Sequence, residues 1–364
     1  MRQLAFASTG PVCLPHRPAF PGGQGGAVRF QRLTAKSGAS HTVAEKLQRV
    51  IPNSLQRVEC LNRMDAPNKG VHTVREQGED RMAPRQAPTI RQRRFGAELR
   101  RLREAAGLSA PRAAELLGTD RTTISNVEAG RFGISEQRLR RLASIYECDD
   151  PELVDALAAM TGGRKAGWWD EYRGKVPPDF LDVAEVEFHA CSLRTLQTAH
   201  IPGIFQTGEH ARALFDLFIP ALPRLEVELR IAQRLSRHIV ITRERPATYG
   251  GLIHEAALRM QVGGRQPARA QLEHLLKESE RDNVTLRVIP FSSGGFPMAG
   301  DSILYASADS PHLDTVQVDS PTGAVFFDSP TQLSNFRRRL DAVEQVALNA
   351  QKSRDAILEI IRNV

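Results

Sequence analysis

Between residues 91 and 155 the apolar positions fall into a series of short helical stretches. Phe95, Leu99, Leu102 and Ala106 recur at intervals of 4, 3 and 4 residues, the period of an amphipathic helix, and Gly107 ends it. Ser109 caps a second helix with Pro111 in its first turn, where a backbone N–H would have no intrahelical partner. Leu117 closes its apolar face and Gly118-Thr119 makes a turn. Asp120 then caps a third helix that runs to Ala129 and stops at Gly130, with Ile124 and Val127 facing the core. Leu139, Leu142 and Ile145 mark a further helix, and Asp150-Pro151 begins the last of this group.

Beyond residue 167 the pattern alternates between helical and strand periods. Helices are expected at residues 180–190, 208–218, 222–238 and 267–281. Strand-like runs occur at 239–241, 252–253, 284–288, 302–305, 315–318 and 324–327. The last two flank Ser320-Pro321-Thr322-Gly323, a turn signal that predicts an antiparallel hairpin. Ser329-Pro330-Thr331-Gln332 is a capping box that starts a long helix with Phe336, Leu340, Val343, Ala347 and Ala350 along one face. The fold class expected is a mainly α helix-turn-helix unit followed by an α+β domain with a small, partly antiparallel sheet and a long C-terminal helix.

These patterns divide the chain into an extension at 1–88, a helical domain at 89–160, a linker at 161–167 and the α+β domain at 168–364. The extension, rich in Gly, Pro, Arg and Gln, has too few periodic apolar positions to offset its ordering entropy and is expected to be disordered. It reads either as a basic arm or, preferentially, as the product of a start codon placed too far upstream, with synthesis beginning at Met82. Trp168-Trp169 opens the second domain, and adjacent aromatics there read as an anchor for the linker rather than as a ligand stack.

Charge sharpens this division. Of the net +7, residues 1–81 carry +6 and residues 82–147 another +6, whereas residues 148–364 carry −5. Beyond the extension, a basic region confined to the helical unit is the footprint of nucleic-acid binding, and the acidic residues 148–364 argue that DNA is not touched there. The four cysteines are far apart, no secretory signal is legible at the start, and no apolar run is long enough to span a bilayer. The expected location is therefore the cytoplasm, in association with the nucleoid, with no membrane partner.

The third helix carries the chemistry. Arg121, Thr122, Ser125 and Asn126 point away from Ile124 and Val127, and such side chains donate and accept at base edges in the major groove. An ordinary α-hairpin with a solvated polar face would share the bare pattern, but the flanking helices make it improbable. Leu99 to Ser109 and Thr122 to Gly130 together resemble the XRE-type domain of the lambda and 434 repressors, over about residues 91–148. The resemblance implies five helices, an operator in double-stranded DNA, a homodimer on symmetric half-sites, and a DNA-binding set of Ser109, Arg112, Arg121, Thr122, Thr123, Ser125, Asn126 and Arg131. It also implies that Arg103 pairs with Glu128, and that Ala114 is the small residue at the crossing of the second and third helices. Arg112 departs from the pattern, standing where an acidic residue usually helps to cap. A cation there is unfavourable unless something negative, such as a DNA phosphate, lies in front.

The second half resembles the large domain of unknown function that follows such readers in antitoxin-like actinomycete regulators. Gly167-Trp168-Trp169-Asp170, Ile201-Pro202-Gly203-Ile204-Phe205-Gln206-Thr207, His254-Glu255-Ala256-Ala257-Leu258 and Val288-Ile289-Pro290 carry that match. The resemblance implies a small, neighbour-encoded protein as partner; a small-molecule sensor domain is the alternative, and an enzyme fused to a reader the least favoured one. His254-Glu255 fails as a zinc-protease motif because Leu258 stands where the second histidine is required. His189-x-Cys191 lacks the second cysteine pair of a deaminase site, and Ser292-Ser293-Gly294-Gly295 has neither a nucleophile-elbow nor a phosphate-loop context. No catalytic constellation, metal or cofactor is expected.

Overall fold

A computed structural model describes residues 87–162 and 166–364. The expectations for residues 1–86, including a start at Met82, and for 163–165 within the linker fall outside the described residues.

Five helices form the first part: α1 (Ile90–Ala105), α2 (Ala110–Leu117), α3 (Arg121–Glu128), α4 (Glu136–Ile145) and α5 (Pro151–Ala159). Each starts at a side-chain cap. Thr89 and Gln92 make a reciprocal capping box on α1, while Ser109, Asp120, Ser135 and Asp150 accept from the third backbone N–H of α2 to α5. The apolar faces then close on one another around Phe95, Leu99, Leu117, Ile124, Leu139 and Leu157.

Trp168–Tyr172 follows as a turn of 3-10 helix. Trp169 is buried against Phe188, Leu181 and Val176, so the two tryptophans serve as the expected anchor. Next come α6 (Pro178–His189), β1 (Ser192–Gln197), α7 (Gly208–Phe215), α8 (Arg224–Ser236), α9 (Ile239–Thr242), β2 (Thr248–His254), α10 (Glu255–Arg259), α11 (Arg265–Glu278), β3 (Val284–Ile289), β4 (Ile303–Ser307), β5 (Thr315–Ser320), β6 (Gly323–Phe327), α12 (Pro330–Val346) and α13 (Ala350–Asn363). The fold class is as expected: a helical unit, then an α+β domain.

The sheet has six strands in the order β3-β2-β1-β4-β5-β6; β3, β2 and β1 run parallel, and the remaining pairs antiparallel. Period-2 alternation sends Leu193, Leu304 and Ala306 to a core on one face and Leu196, Ile303 and Tyr305 to a core on the other, under α12. Among the described residues no helix is long and apolar enough to cross a membrane.

Three expectations are corrected. Residues 239–241 form a turn of helix, because Val240 and Ile241 continue directly from α8 through N–H bonds to the carbonyls of Arg237 and His238 and are buried as they do so. Packing outweighs β-branched propensity there. The central strand β1 goes unread in the sequence because Arg194, Thr195 and Gln197 interrupt its apolar run; Arg194 is balanced on α12 by Asp341 at 2.8 Å and Glu344 at 3.0 Å. The long helix expected from Ser329 is α12, but it ends at Val346, short of the Ala347 and Ala350 of its expected face, and α13 follows. Ala347 is extended, the Leu348 N–H donates to the carbonyl of Val288 on β3, Arg287 donates to the carbonyls of Ala347 and Leu348, and Asn349 caps α13.

The two parts share a core. Ile90 donates its N–H to Asp182 on α6, Arg94 donates Nε to the carbonyl of Asp314 at 3.2 Å and Nη1 to Glu98, and Arg101 reaches the carbonyl of Asp328. Leu313, from the turn before β5, is 6% exposed and completes the apolar cluster of the five helices.

Candidate nucleic-acid interface

The turn between α2 and α3 is set by Gly118 at φ +72°, the left-handed region that favours glycine. Asp120 then locks the start of α3: its carboxylate accepts the Thr123 N–H at 2.7 Å and the Thr123 hydroxyl at 3.0 Å. These bonds, the backbone one foremost, hold the Asp120 carboxyl below the usual carboxylate range.

At the other end α3 is held against α1. Arg103 donates Nε to Glu128 Oε1 at 2.6 Å, Nη2 to Oε2 at 2.9 Å and Nη1 to the carbonyl of Leu108 at 2.8 Å. The forked hydrogen bond to Glu128 is the chief reason that Arg103 is raised above its ordinary pKa. Gly96 makes this possible, since a Cβ there would lie 2.3 Å from the carbonyl oxygen of Glu128. Sequence reasoning did not single out Gly96. Ala114, the small residue it did single out, is buried in the same core. Gly130, in the left-handed region at φ +70°, lets the chain leave α3 against the carbonyl of Gln92, 2.7 Å from where a Cβ would stand.

Between these fixed ends the sequence-singled residues have distinct settings. Arg121, Thr122 and Ser125 are exposed along one side of α3, and Asn126 is half-buried beside them. The carbonyl of Asn126 accepts the N–H groups of Arg131 and Phe132, so the exposed Arg131 is anchored by its backbone just past the helix. The half-buried Thr123 is engaged with the cap, which gives its hydroxyl a positioning role. Ser109 accepts the N–H of Arg112 at 3.3 Å, and the Arg112 guanidinium is met by Glu115 at 2.7 Å on its own helix. A further cation, Arg141 of α4, stands by the turn with Nη2 3.4 Å from the carbonyl of Leu116. The signal for it was the basic run from Arg138 to Arg141, not a spacing. The arrangement presents donors and acceptors on a rigid helix flanked by cations, as base reading beside phosphate contact requires.

Three of the residues considered for catalysis have structural partners. His254 Nδ1 accepts the N–H of Ala256 at the start of α10, and Glu255 accepts from the Phe291 N–H and pairs with Arg259. The Cys191 thiol donates to Asp309, and burial chiefly pushes it up to about 11. Among the described residues no group of three or more His, Cys, Asp or Glu side chains is placed to hold a metal ion.

Residues 94–157 match the family described as a helix-turn-helix domain, and residues 180–359 match the family described as a domain of unknown function (DUF5753). No curated protein and no solved structure matches the chain. The chain thus carries a helix-turn-helix domain, the kind of unit that binds DNA, with this domain of unknown function behind it.

Proposed function

We propose that the protein is a sequence-specific transcription regulator of the XRE type, dimeric on its operator and antitoxin-like, whose second domain receives a small protein encoded beside it. The reading rests above all on α3: three exposed polar side chains, Arg121, Thr122 and Ser125, stand on a helix fixed at one end by Asp120 and at the other by the Arg103–Glu128 pair. Two such helices related by a twofold axis would meet half-sites about one helical turn, roughly 34 Å, apart. The site of action is then the nucleoid, and the domain is a receptor rather than a catalyst.

Support for a protein partner comes from the loop between α7 and α8 and the first turn of α8. Leu217, Ile219 and Leu225 are 70%, 98% and 72% exposed, an apolar patch of the kind that marks interaction sites. A small-molecule sensor reading is favoured by a separate observation, the cavity described below.

Binding-site selection with the purified chain, alone and with its neighbour-encoded protein, tests the reading. An inverted repeat is expected. Arg121→Ala should cost about 1–3 kcal/mol at one base position and relax the consensus there, whereas Arg131→Ala should weaken all sequences alike. A selected site without symmetry, or an Arg121→Ala variant with unchanged consensus and affinity, would overturn it.

A further inference from the structure

At the carboxyl end of β1 a cavity of about 680 Å3 opens between one face of the sheet and helices α6, α7 and α8. Phe180, Ile204, Leu214, Phe215 and Leu304 give it an apolar wall; Thr195, Gln206, Gln317 and Arg234 place polar groups on it. That volume is within the range of about 300–1,000 Å3 typical of small-molecule sites, and an apolar wall with a few convergent polar groups is their usual composition. Thr195, Gln206 and Gln317 are all buried, and Thr195 shares a hydrogen bond of 2.9 Å with the buried Tyr249 hydroxyl.

The charges on α8 decide what the cavity would take. Arg237 is closed by Glu187 through two bonds of 2.6 and 2.7 Å, and Arg230 by Glu226. Arg234, between them, meets no carboxylate within ion-pair distance among the described residues. Its Nη1 donates to Gln206 at 2.7 Å and its guanidinium lies 4.6 Å from the centre of the Phe215 ring, but its buried Nε has no hydrogen-bond partner. Burial pushes Arg234 down to about 9, which still leaves it charged at neutral pH. Arg234 is half-buried with its Nε fully buried; a cation so placed without a counter-ion is costly, and an anion entering the cavity offsets that cost. The exposed Asp319 and half-buried Asp179 also line the cavity, and Gln317 Nε2 donates to Asp319 at 2.7 Å, leaving the Gln317 oxygen as an acceptor. These groups suit a donor elsewhere on the same ligand.

We propose that this cavity binds a small organic acid: the carboxylate on Arg234, the apolar body against Phe215 and Leu304, and a hydroxyl or amine facing Gln317 and Asp319. Leu217 and Phe218 of the exposed loop also line the cavity, whereas α3 contributes nothing to it, so the site is independent of what α3 reads.

The test uses the full chain without DNA or a protein partner. Thermal melting and calorimetric titration are run against phenylacetate, para-hydroxyphenylacetate, mandelate, salicylate and octanoate, each beside its primary amide. At least one acid is expected to bind at micromolar concentration and raise Tm by several degrees, with its amide at least tenfold weaker. Arg234→Gln should bring the acid down to the level of the amide. Leu214→Trp, which fills the cavity from α7, should melt normally and bind none of the acids, so that the proposal stays testable if Arg234→Gln folds poorly. Failure of every acid to bind, equal binding of acid and amide, or undiminished binding by Arg234→Gln would overturn it, whatever the outcome of the DNA selection.

Discussion

Arg103 and Glu128 lie 25 positions apart and close on one another as a fork, with the third donor of Arg103 on the Leu108 carbonyl. Both side chains are nearly buried, so removing the carboxylate leaves the guanidinium only the Leu108 carbonyl and the longer 3.6 Å approach to the exposed Glu104. Glu128→Gln is expected to cost about 3 kcal/mol in urea unfolding. At temperatures where the variant stays folded, it should also weaken operator binding, because α3 loses its hold on α1. Arg103→Lys should not rescue either property, since an ammonium cannot make the fork. At this scale the sequence was legible where chemistry is local. Asp120 announces a cap by its place before an apolar-periodic run, and Arg121, Thr122 and Ser125 follow from helical spacing. Gly96 was not legible, because its role depends on where another helix comes to rest.

Among the elements, α7 holds a titrating group of its own. His210 sits in its first turn, capped through its N–H by Thr207, with Nδ1 buried and without a hydrogen-bond partner among the described residues. Burial first, then the positive charge of Arg234 and His200, lowers it to about 4 from an ordinary value near 6.5. The unfolded chain therefore binds a proton that the folded chain refuses. The stability this represents is complete above pH 6.5 and is lost as pH falls from there toward 4. Melting temperatures taken across that window should show a slope that His210→Asn flattens; an unchanged slope would locate the acid sensitivity elsewhere. Helices such as α7, α8 and α11 were readable because a solvated face leaves a 3.6-residue period in the sequence. β1 was hidden because its polar residues are satisfied far along the chain, Arg194 by Glu344 across 150 positions. The break after Val346 was hidden for a similar reason: the carbonyls of Ala347 and Leu348 turn away from the helix toward Arg287 of β3, a contact that no local pattern records.

For the whole molecule, the decisive contact is α1 against the second domain. Arg94 is buried where it meets the Asp314 carbonyl, and the carboxylate of Asp314 is in turn held by the Tyr305 hydroxyl at 2.7 Å and by Arg337 at 3.1 Å. Leu313, next to it, is a side chain of the second domain that packs in the apolar cluster of the first. Calorimetry on the full chain should give one cooperative transition covering the helical domain and the α+β domain together. Leu313→Ala should lower it as a unit by about 2–4 kcal/mol, the usual effect of emptying a leucine site in a core. Two separated transitions, with only the later residues affected by the substitution, would contradict a shared core. Composition and charge told the two parts apart but carried no trace of this contact, since a single leucine in a turn gives no periodic signal.

Leu313 also bears on engineering. Transcription factors are often rebuilt by transplanting a DNA reader as a cassette onto another scaffold, with the cut made at the glycine-rich stretch between the parts. Here the cut in sequence does not coincide with a cut in the core: a graft ending near Gly162 leaves behind a leucine of its own apolar cluster and the Asp314 carbonyl that receives Arg94. Such a chimera should gain from a compensating substitution at the vacated site, a larger side chain in place of Ala156 beside it, more than from any change of linker.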